Sequence, residues 1–186
     1  EPSTLPSVDR FALLLLRTRT RGRVTIDRTV TLGRGVRLEA TGAGRIVVGQ
    51  GCVLGDGTRI EARGGTVLVG AGTRTGEGCI LCAHERISVG ARARLGDEVV
   101  VQDATRRSDD PERPVREQGL RVSVVTIGED VTLGARAVVE PGASVGDGAI
   151  VEPGSVVVGA VPAAATVIGI PARVAVAPRR PGRGPR

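Results

Sequence analysis

The feature that most constrains this chain is a repeat of six residues in its C-terminal third. From residue 127 to residue 157 an aliphatic residue recurs at every sixth position, and a small residue follows four positions after each one. The aliphatic positions are Ile127, Leu133, Val139, Val145, Val151 and Val157, and the small ones are Val131, Ala137, Ala143, Ala149, Ser155 and Val161. This period is neither the 3.6 residues of an α-helix nor the alternation of an ordinary strand. It predicts a repeat architecture.

A six-residue period corresponds to one short strand and one tight corner. The aliphatic residue points inward from the strand, and three hexads of about 18 residues close one triangular coil. Neighbouring coils stack at the β-spacing of about 4.8 Å, so each backbone amide finds a partner one coil away. The tripeptide Glu-Pro-Gly occurs twice, at 140–142 and 152–154. Proline sets the second turn position and glycine supplies the positive φ of the third, as a corner requires.

The same pattern continues upstream with insertions, which brings the prediction to about six coils of an all-β parallel β-helix. Four further coils are predicted, with inward residues Ile26, Leu32 and Leu38, then Val48, Leu54 and Ile60, then Val69, Thr75 and Leu81, then Val89, Leu95 and Val101. We expect an N-terminal cap segment at 1–23, a β-helix domain at 24–174 with an extruded loop at 102–126, and a disordered tail at 175–186 rich in Arg, Pro and Gly.

Composition agrees with thin layers of aliphatic residues. The chain has one Phe and no Trp, Tyr or Met, so its core lacks the aromatic rings of most globular cores. The net charge of +6 is concentrated in Arg residues near the two ends, without a basic face or aromatic residues that could stack on bases. We therefore expect no nucleic-acid partner.

The cysteines and the N-terminal apolar run permit narrower expectations. Cys52, Cys79 and Cys82 are odd in number, lack a disulfide framework and have a single His nearby, so we predict buried small residues and no metal site. The apolar run 11–16 is too short to span a bilayer. We expect a cytoplasmic protein without a transmembrane span, whose basic segment 11–23 permits peripheral membrane contact.

Residues 127–174, IGEDVTLGARAVVEPGASVGDGAIVEPGSVVVGAVPAAATVIGIPARV, resemble the end of the hexapeptide-repeat acyltransferases. The closing IGIPARV is similar to the GxPAxxI-type ending of that family, and AHERISVGARARLGDEVVVQD with DDPERPVREQG resembles its central coil and loop. These relatives include maltose, galactoside and capsule or exopolysaccharide O-acetyltransferases. The resemblance implies a left-handed helix, a homotrimer, acetyl-CoA between subunits and a sugar-like acceptor hydroxyl.

The resemblance also implies where the site residues lie. The family's loop His, a general base, falls at Arg106, and a guanidinium stays protonated and cannot take that role. Asp103 then orients the site, and His84, the single His, is the remaining candidate base. The resemblance places CoA along the positions Gly134, Ala135, Gly154, Ser155 and Arg173. The function expected is CoA-dependent O-acyl transfer; the alternative is a catalytically degenerate trimeric scaffold or ligand-binding partner.

Overall fold

The computed structural model describes residues 22–176, which form a left-handed parallel β-helix and confirm the predicted fold class. Three parallel sheets, here called A, B and C, form the faces of a triangular prism. The helix has six coils that cross all three faces and a last coil that crosses two. Within the described range the one helical element is a 3-10 turn, Val115–Glu117.

Each coil contributes one strand to each face in the order A, B, C. Sheet A contains β1 (Val24–Ile26), β4 (Arg45–Val48), β7 (Thr66–Val69), β10 (Arg86–Val89), β15 (Val125–Ile127), β18 (Ser144–Val145) and β21 (Ala160–Val161). Sheet B contains β2 (Thr31–Leu32), β5 (Val53–Leu54), β8 (Arg74–Thr75), β11 (Arg94–Leu95), β16 (Thr132–Leu133), β19 (Ile150–Val151), β22 (Thr166–Ile168) and β23 (Arg173–Val176). Sheet C contains β3 (Arg37–Thr41), β6 (Arg59–Arg63), β9 (Ile80–Ala83), β12 (Val100–Gln102), β17 (Val138–Val139) and β20 (Val156–Val157).

The register of the sheets stacks the predicted inward residues on one another. On sheet C, Leu38 pairs with Ile60, Ile60 with Leu81 and Leu81 with Val101. The same holds in the C-terminal coils, where Ile127 pairs with Val145. Nearly all of these side chains are buried in one continuous core. The residues that the hexad pattern placed inside therefore do lie inside. The longer strands of the first four coils send a second side chain inward as well, such as Ile87 of β10.

The small inward positions are also filled as expected. Cys52 and Cys79 are fully buried, and their thiols donate to the carbonyl oxygens of Gly70 and Gly96, each at 3.1 Å. Burial raises the pKa of both thiols. These two cysteines fill small spaces in the core, and their thiols remain protonated at neutral pH.

The one long interruption of the helix lies between sheet C of the fourth coil and sheet A of the fifth. Two antiparallel strands, β13 (Ala104–Arg106) and β14 (Leu120–Val122), form a hairpin that leaves the prism there. The backbone N–H of Ser123 donates to the carbonyl oxygen of Asp103 at 2.8 Å, so the two ends of the excursion are adjacent. The β-helix resumes at Val125.

The C-terminal end of the prism closes with a reversal of direction. β23 runs antiparallel to β22 and adds a last strand to sheet B. The predicted cap segment 1–23 and tail 175–186 lie outside the described residues, apart from residues 22–23 and 175–176.

Candidate active site

Asp103 is the first residue of the excursion, and its carboxylate lies inside the corner between sheets C and A. The side chain is fully buried. Its Oδ1 accepts the backbone N–H of His84, and its Oδ2 accepts those of Glu85 and Arg86, all three at 2.7 Å. A buried carboxylate is strongly unfavourable unless hydrogen bonds compensate it, and hydrogen bonds to an ionised acceptor are stronger than neutral ones. Asp103 therefore holds the preceding coil's corner in a fixed shape.

The side chain of His84 lies on that corner, against the same carboxylate. Its Nδ1 is 3.7 Å from Oδ1 of Asp103, and the imidazole as a whole is 23% exposed. Nδ1 itself is buried and has no hydrogen-bond partner among the described residues. The exposed part of the side chain is consequently the part of the ring away from Nδ1. The two residues are 19 positions apart, about one coil, and stacking brings them together.

The carboxylate of Asp103 has one unused acceptor site close to the unpartnered Nδ1 of His84. An ionised carboxylate has about four acceptor sites, two on each oxygen. Oδ2 uses both of its sites on Glu85 and Arg86, whereas Oδ1 receives a single hydrogen bond, from the His84 backbone. The free site is on the oxygen nearest Nδ1. A movement of less than about 1 Å brings this pair into hydrogen-bond range, a tightening typical of catalytic groups when substrate binds.

Arg106 lies at the far end of β13, on the hairpin, with its side chain exposed. In the hairpin, Arg106 of β13 is paired with Leu120 of β14. Within residues 22–176 its side chain forms no ion pair, and no hydrogen bond joins it to His84 or Asp103. Elsewhere on the hairpin, Arg107 and Arg121 both contact Asp109, and their hydrogen bonds lower the pKa of that carboxyl. The position that the family resemblance assigned to a catalytic His is thus an exposed cation.

The positions predicted for CoA fall on another edge of sheet C. Ala135 and Gly154 line an open groove of about 790 Å³ that runs up the corner between sheets B and C. Four of the five charged residues that line this groove are acidic, and they lie in its lower coils: Asp56, Glu77, Asp97 and Glu98. The fifth, Arg136, lies in its upper part. Negative charge there disfavours a phosphate group, so the upper end around Ala135 and Gly154, where Arg136 is ion-paired with Glu98, is the part suited to an acyl-pantetheine arm.

The other three positions have different local roles. A Cβ at Gly134 would overlap the backbone of Pro153 in the next coil, so glycine is required there by packing. Ser155 is fully buried, and its Oγ accepts the backbone N–H of Gly169 at 3.1 Å. Arg173 is exposed at the start of β23. The structure thus brings Ala135 and Gly154 into one groove but holds Ser155 inside the wall.

One cysteine differs from the expectation of burial. Cys82 is half-buried and points outward from β9, and its Sγ is 3.9 Å from Oε2 of Glu61. Burial raises the pKa of its thiol, the Arg63 guanidinium opposes that shift, and the carboxylates of Glu61 and Asp103 add to it. The spacing from Leu81 carried the signal, since neighbouring residues of a strand face opposite ways. Cys82 therefore lies on the outer surface, beside the site.

Sequence comparison finds the hexapeptide repeat in the C-terminal part of the chain. The family model described as "Bacterial transferase hexapeptide (six repeats)" matches residues 125–159 of this chain. The chain carries this hexapeptide repeat. It is 33% identical to a Mycobacterium tuberculosis protein named as an acetyltransferase. The 88 aligned residues make up 47% of this chain and 29% of that protein. The chain therefore spans less than a third of that relative's length. The predicted resemblance to hexapeptide-repeat acyltransferases is confirmed.

Solved structures share the fold of this hexapeptide-repeat chain. A variant of the N-acyltransferase AntD from Bacillus cereus, in complex with dTDP and coenzyme A, superposes with a TM-score of 0.71 at 17% identity, over 93% of this chain and 91% of that one. A maltose O-acetyltransferase from Clostridium difficile gives a TM-score of 0.50 at 21% identity, over 82% and 72% of the two chains. At these identities the likeness establishes the β-helix.

Residues 22–176 contain no group of three or more His, Cys, Asp and Glu side chains arranged to hold a metal ion. They also contain no helix of the length and apolarity needed to cross a membrane.

Proposed function

We propose that this chain is an acyl-CoA-dependent acyltransferase that acts on a hydroxyl of a sugar-like acceptor, with His84 as the general base. The single observation that carries the proposal is the unpartnered Nδ1 of His84 facing the free acceptor site of Asp103. The named activities of the relatives support acyl transfer, and AntD's complex with coenzyme A supports the co-substrate. We also propose that the protein acts in the cytoplasm, where acetyl-CoA is available.

The chemistry follows from the two ring nitrogens. When the 3.7 Å gap closes, Nδ1–H donates to Oδ1 of Asp103, which fixes the tautomer and leaves Nε2 as the acceptor nitrogen. Nε2 removes the proton of the acceptor hydroxyl while its oxygen attacks the thioester carbonyl of acyl-CoA. Collapse of the tetrahedral adduct breaks the carbon–sulfur bond, and the CoA thiolate takes the proton back from the imidazolium. The products are an ester and free CoA, and Asp103 stabilises the imidazolium between the two steps.

The proposed base and the proposed CoA groove flank the same face of one protomer. His84 follows β9 at the edge between sheets C and A, whereas Ala135 and Gly154 lie at the edge between B and C. The full width of sheet C separates them. We propose that a homotrimer joins the B–C edge of one subunit to the C–A edge of its neighbour, which would place acyl-CoA beside His84 between two copies of the chain.

The catalytically degenerate scaffold remains the second candidate because Arg106 stands where the resemblance expects a base. The two candidates differ in one measurement, the release of CoA thiol. Purified protein with acetyl-CoA and a panel of glycosides should release free thiol at a rate above that of hydrolysis without acceptor. His84→Ala should lower kcat by at least about a hundredfold, the usual contribution of general base catalysis.

The matched control is Arg106→Ala, which removes an exposed side chain without contacts at the site and should retain near-wild-type kcat. Asp103→Asn should lower kcat and also lower the melting temperature, because an amide cannot accept hydrogen bonds on both of its ends. Thiol release that is unchanged in His84→Ala would refute the assigned base. No release with any acceptor, together with no CoA binding by calorimetry, would favour the scaffold.

A further inference from the structure

Charge is distributed unevenly along the axis of the prism. Residues 22–65, which form the first two coils, contain seven Arg and four acidic residues, a net charge of +3. Residues 125–176, which form the coils after the hairpin, contain two Arg and five acidic residues, a net charge of −3. The end at which the chain enters the prism is therefore basic, and the described part of the opposite end is acidic.

The basic end carries arginines that no carboxylate of the described chain neutralises. Three of its seven arginines pair with Asp56 or Glu61. The carboxylate of Asp27 accepts the backbone N–H and the hydroxyl of Thr29, at 2.9 and 2.6 Å, and forms no ion pair. Four arginines form no ion pair within residues 22–176, and all but the first are exposed: Arg23, Arg28, Arg37 and Arg45. Free positive charge is thus concentrated in the first two coils.

Three of these free arginines lie around β1. Arg23 precedes the strand, and Arg28 follows it at the corner between sheets A and B. The pairing of β1 with β4 places Arg45 beside Arg23 and the exposed Val47 beside Thr25. Like charges at neighbouring positions of a sheet repel each other, and an anionic surface relieves that repulsion. Free cations and exposed apolar surface therefore meet where the chain enters the prism.

The residues that lead into β1 have the composition of a membrane-surface segment. The apolar run 11–16, Phe-Ala-Leu-Leu-Leu-Leu, is followed by Arg17, Arg19 and Arg21 in alternation with Thr. These residues lie outside the described range, and the chain continues from them directly into β1. Interfacial segments combine apolar side chains, which enter the boundary of the acyl chains, with basic side chains that attract anionic headgroups.

We propose that the basic end of the prism docks on a lipid bilayer that contains anionic lipids. The run 11–16 enters the headgroup region, and Arg23, Arg28 and Arg45 face the lipid phosphates. The acidic coils at the other end orient the molecule end-on, because the same surface repels them. In the proposed homotrimer, a three-fold axis parallel to the prism puts three such ends in one plane, and several weak attachments together bind far more tightly than one.

Two other sources of polyanion binding are distinguished from this surface. Nucleic acid is disfavoured because the apolar run has no role against a phosphate backbone, and the chain has no Trp or Tyr to stack on bases. Residues 177–186 carry four Arg after the acidic end, without an apolar run. Attraction through that segment alone is purely electrostatic and is lost when salt screens it.

Co-sedimentation with vesicles tests the surface. Wild type should bind vesicles of phosphatidylcholine with about one-third phosphatidylglycerol, and not vesicles of phosphatidylcholine alone. Arg28→Ser with Arg45→Ser should weaken that binding at least about tenfold. The matched control is Arg74→Ser with Arg94→Ser, which removes the same charge from two exposed, neighbouring arginines of sheet B. It should change binding by no more than about twofold, because these side chains lie two or three strand spacings further from the bilayer.

A single fluorophore tests the apolar run. The chain has no Trp, so Phe11→Trp provides the only indole. Its emission should shift to shorter wavelength when the anionic vesicles are added. Adding Leu14→Asp should abolish that shift, together with the binding that persists at about 0.5 M NaCl, where charge attraction is screened. An indole that is shielded before vesicles are added and unchanged by them would overturn the proposal and assign the run to covering the first coil.

Four results of the binding experiment would also overturn the proposal. They are no binding to the anionic vesicles, equal losses in the two double variants, complete loss of binding in Arg179→Ser with Arg180→Ser, and full competition by a DNA duplex whose own binding needs Arg28 and Arg45. Equal losses would mean that net charge alone drives binding. The third result would assign binding to the opposite end, and the fourth would assign the surface to nucleic acid.

Discussion

At the scale of single residues, the most informative deviation from the repeat is polar rather than aliphatic. Thr75 occupies an inward position that Leu or Val fills in other coils, yet it is buried. Its hydroxyl accepts the Gly55 N–H at 2.9 Å and lies 3.0 Å from the hydroxyl of Thr58, which contacts the Gly76 carbonyl oxygen at 3.3 Å. The buried hydroxyl of Thr75 is therefore hydrogen-bonded within a small network that joins the second and third coils.

This network predicts a non-additive pair of substitutions. Thr75→Val should destabilise the protein by about 1 kcal/mol, because it leaves the buried Thr58 hydroxyl with one partner fewer. The double variant Thr58→Val with Thr75→Val should be close to wild type, since replacing both partners by apolar groups of the same shape is nearly neutral. Urea unfolding of the four proteins of the cycle measures the coupling. Additive losses would show that the two hydroxyls act separately.

At the scale of elements, the corners of the fourth and fifth coils differ from the others. Corner positions with positive φ are usually glycine, as at Gly72 and Gly148, but here Arg92 has φ 58° and Asp130 φ 53°. A side chain in this region is strained. The two residues are joined through Nε and Nη2 of Arg92, both 2.8 Å from carboxylate oxygens of Asp130. The ion pair connects the coils between which the chain leaves the prism.

The Arg92 hydrogen bonds lower the pKa of Asp130, which gives a pH-dependent prediction. A carboxyl whose folded pKa is depressed stabilises the fold above its unfolded value of about 3.8, and that contribution is lost as the pH falls through the lower folded pKa. Asp130→Asn removes the charge and keeps a residue that tolerates positive φ. Its melting temperature should be lower than wild type at pH 7, by at most about 3 °C for an exposed pair.

The difference between the two proteins should shrink below about pH 4 and disappear as the pH falls through the lowered pKa of folded Asp130, where wild type protonates too. Differential scanning fluorimetry at pH 7, 5, 4 and 3 measures it. A gap that stayed constant across this range would mean that the charge of Asp130 contributes nothing and that Asn acts through the backbone.

At the scale of the whole molecule, the hairpin is an addition to the prism and not a part of it. Coils four and five pair directly on all three faces, through β10 with β15, β11 with β16 and β12 with β17. The ends of the excursion are joined by the hydrogen bond between Ser123 and Asp103. In a solenoid each coil depends on its neighbours. The stability of the prism therefore does not require the hairpin's strands.

Replacing residues 104–122 by two glycines should leave the circular dichroism spectrum of the β-helix intact and change the melting temperature by no more than about 4 °C, because a shorter loop costs less entropy to close. Asp103 and its hydrogen bonds to the corner of His84 are kept. Retention of the fold with an altered acceptor KM would assign the hairpin to substrate handling. Unfolding of the shortened chain would show that the hairpin is structural.

The sequence by itself determined the fold and the interior. A period of six is local information, because one strand and one corner fit within each hexad, and the inward positions from Ile127 to Val157 can be counted along the chain. The count does not include Ile46 and Val67, which are fully buried in the longer upstream coils. The resemblance to hexapeptide-repeat acyltransferases rests on the same stretch. What the period could not determine was which outward residues become neighbours, since that depends on the length of each coil.

Coil lengths vary along the prism: Val24 pairs with Ile46, 22 residues on, whereas Ile127 pairs with Val145, 18 residues on. Insertions at the corners therefore shift which side chains meet. The hydrogen bonds of Asp103 to the corner of His84, the outward position of Cys82 and the contact of Gln102 with Glu140 all come from this stacking. Sequence determined what lies inside each coil, and only the tertiary structure decided which chemistry its surfaces bring together.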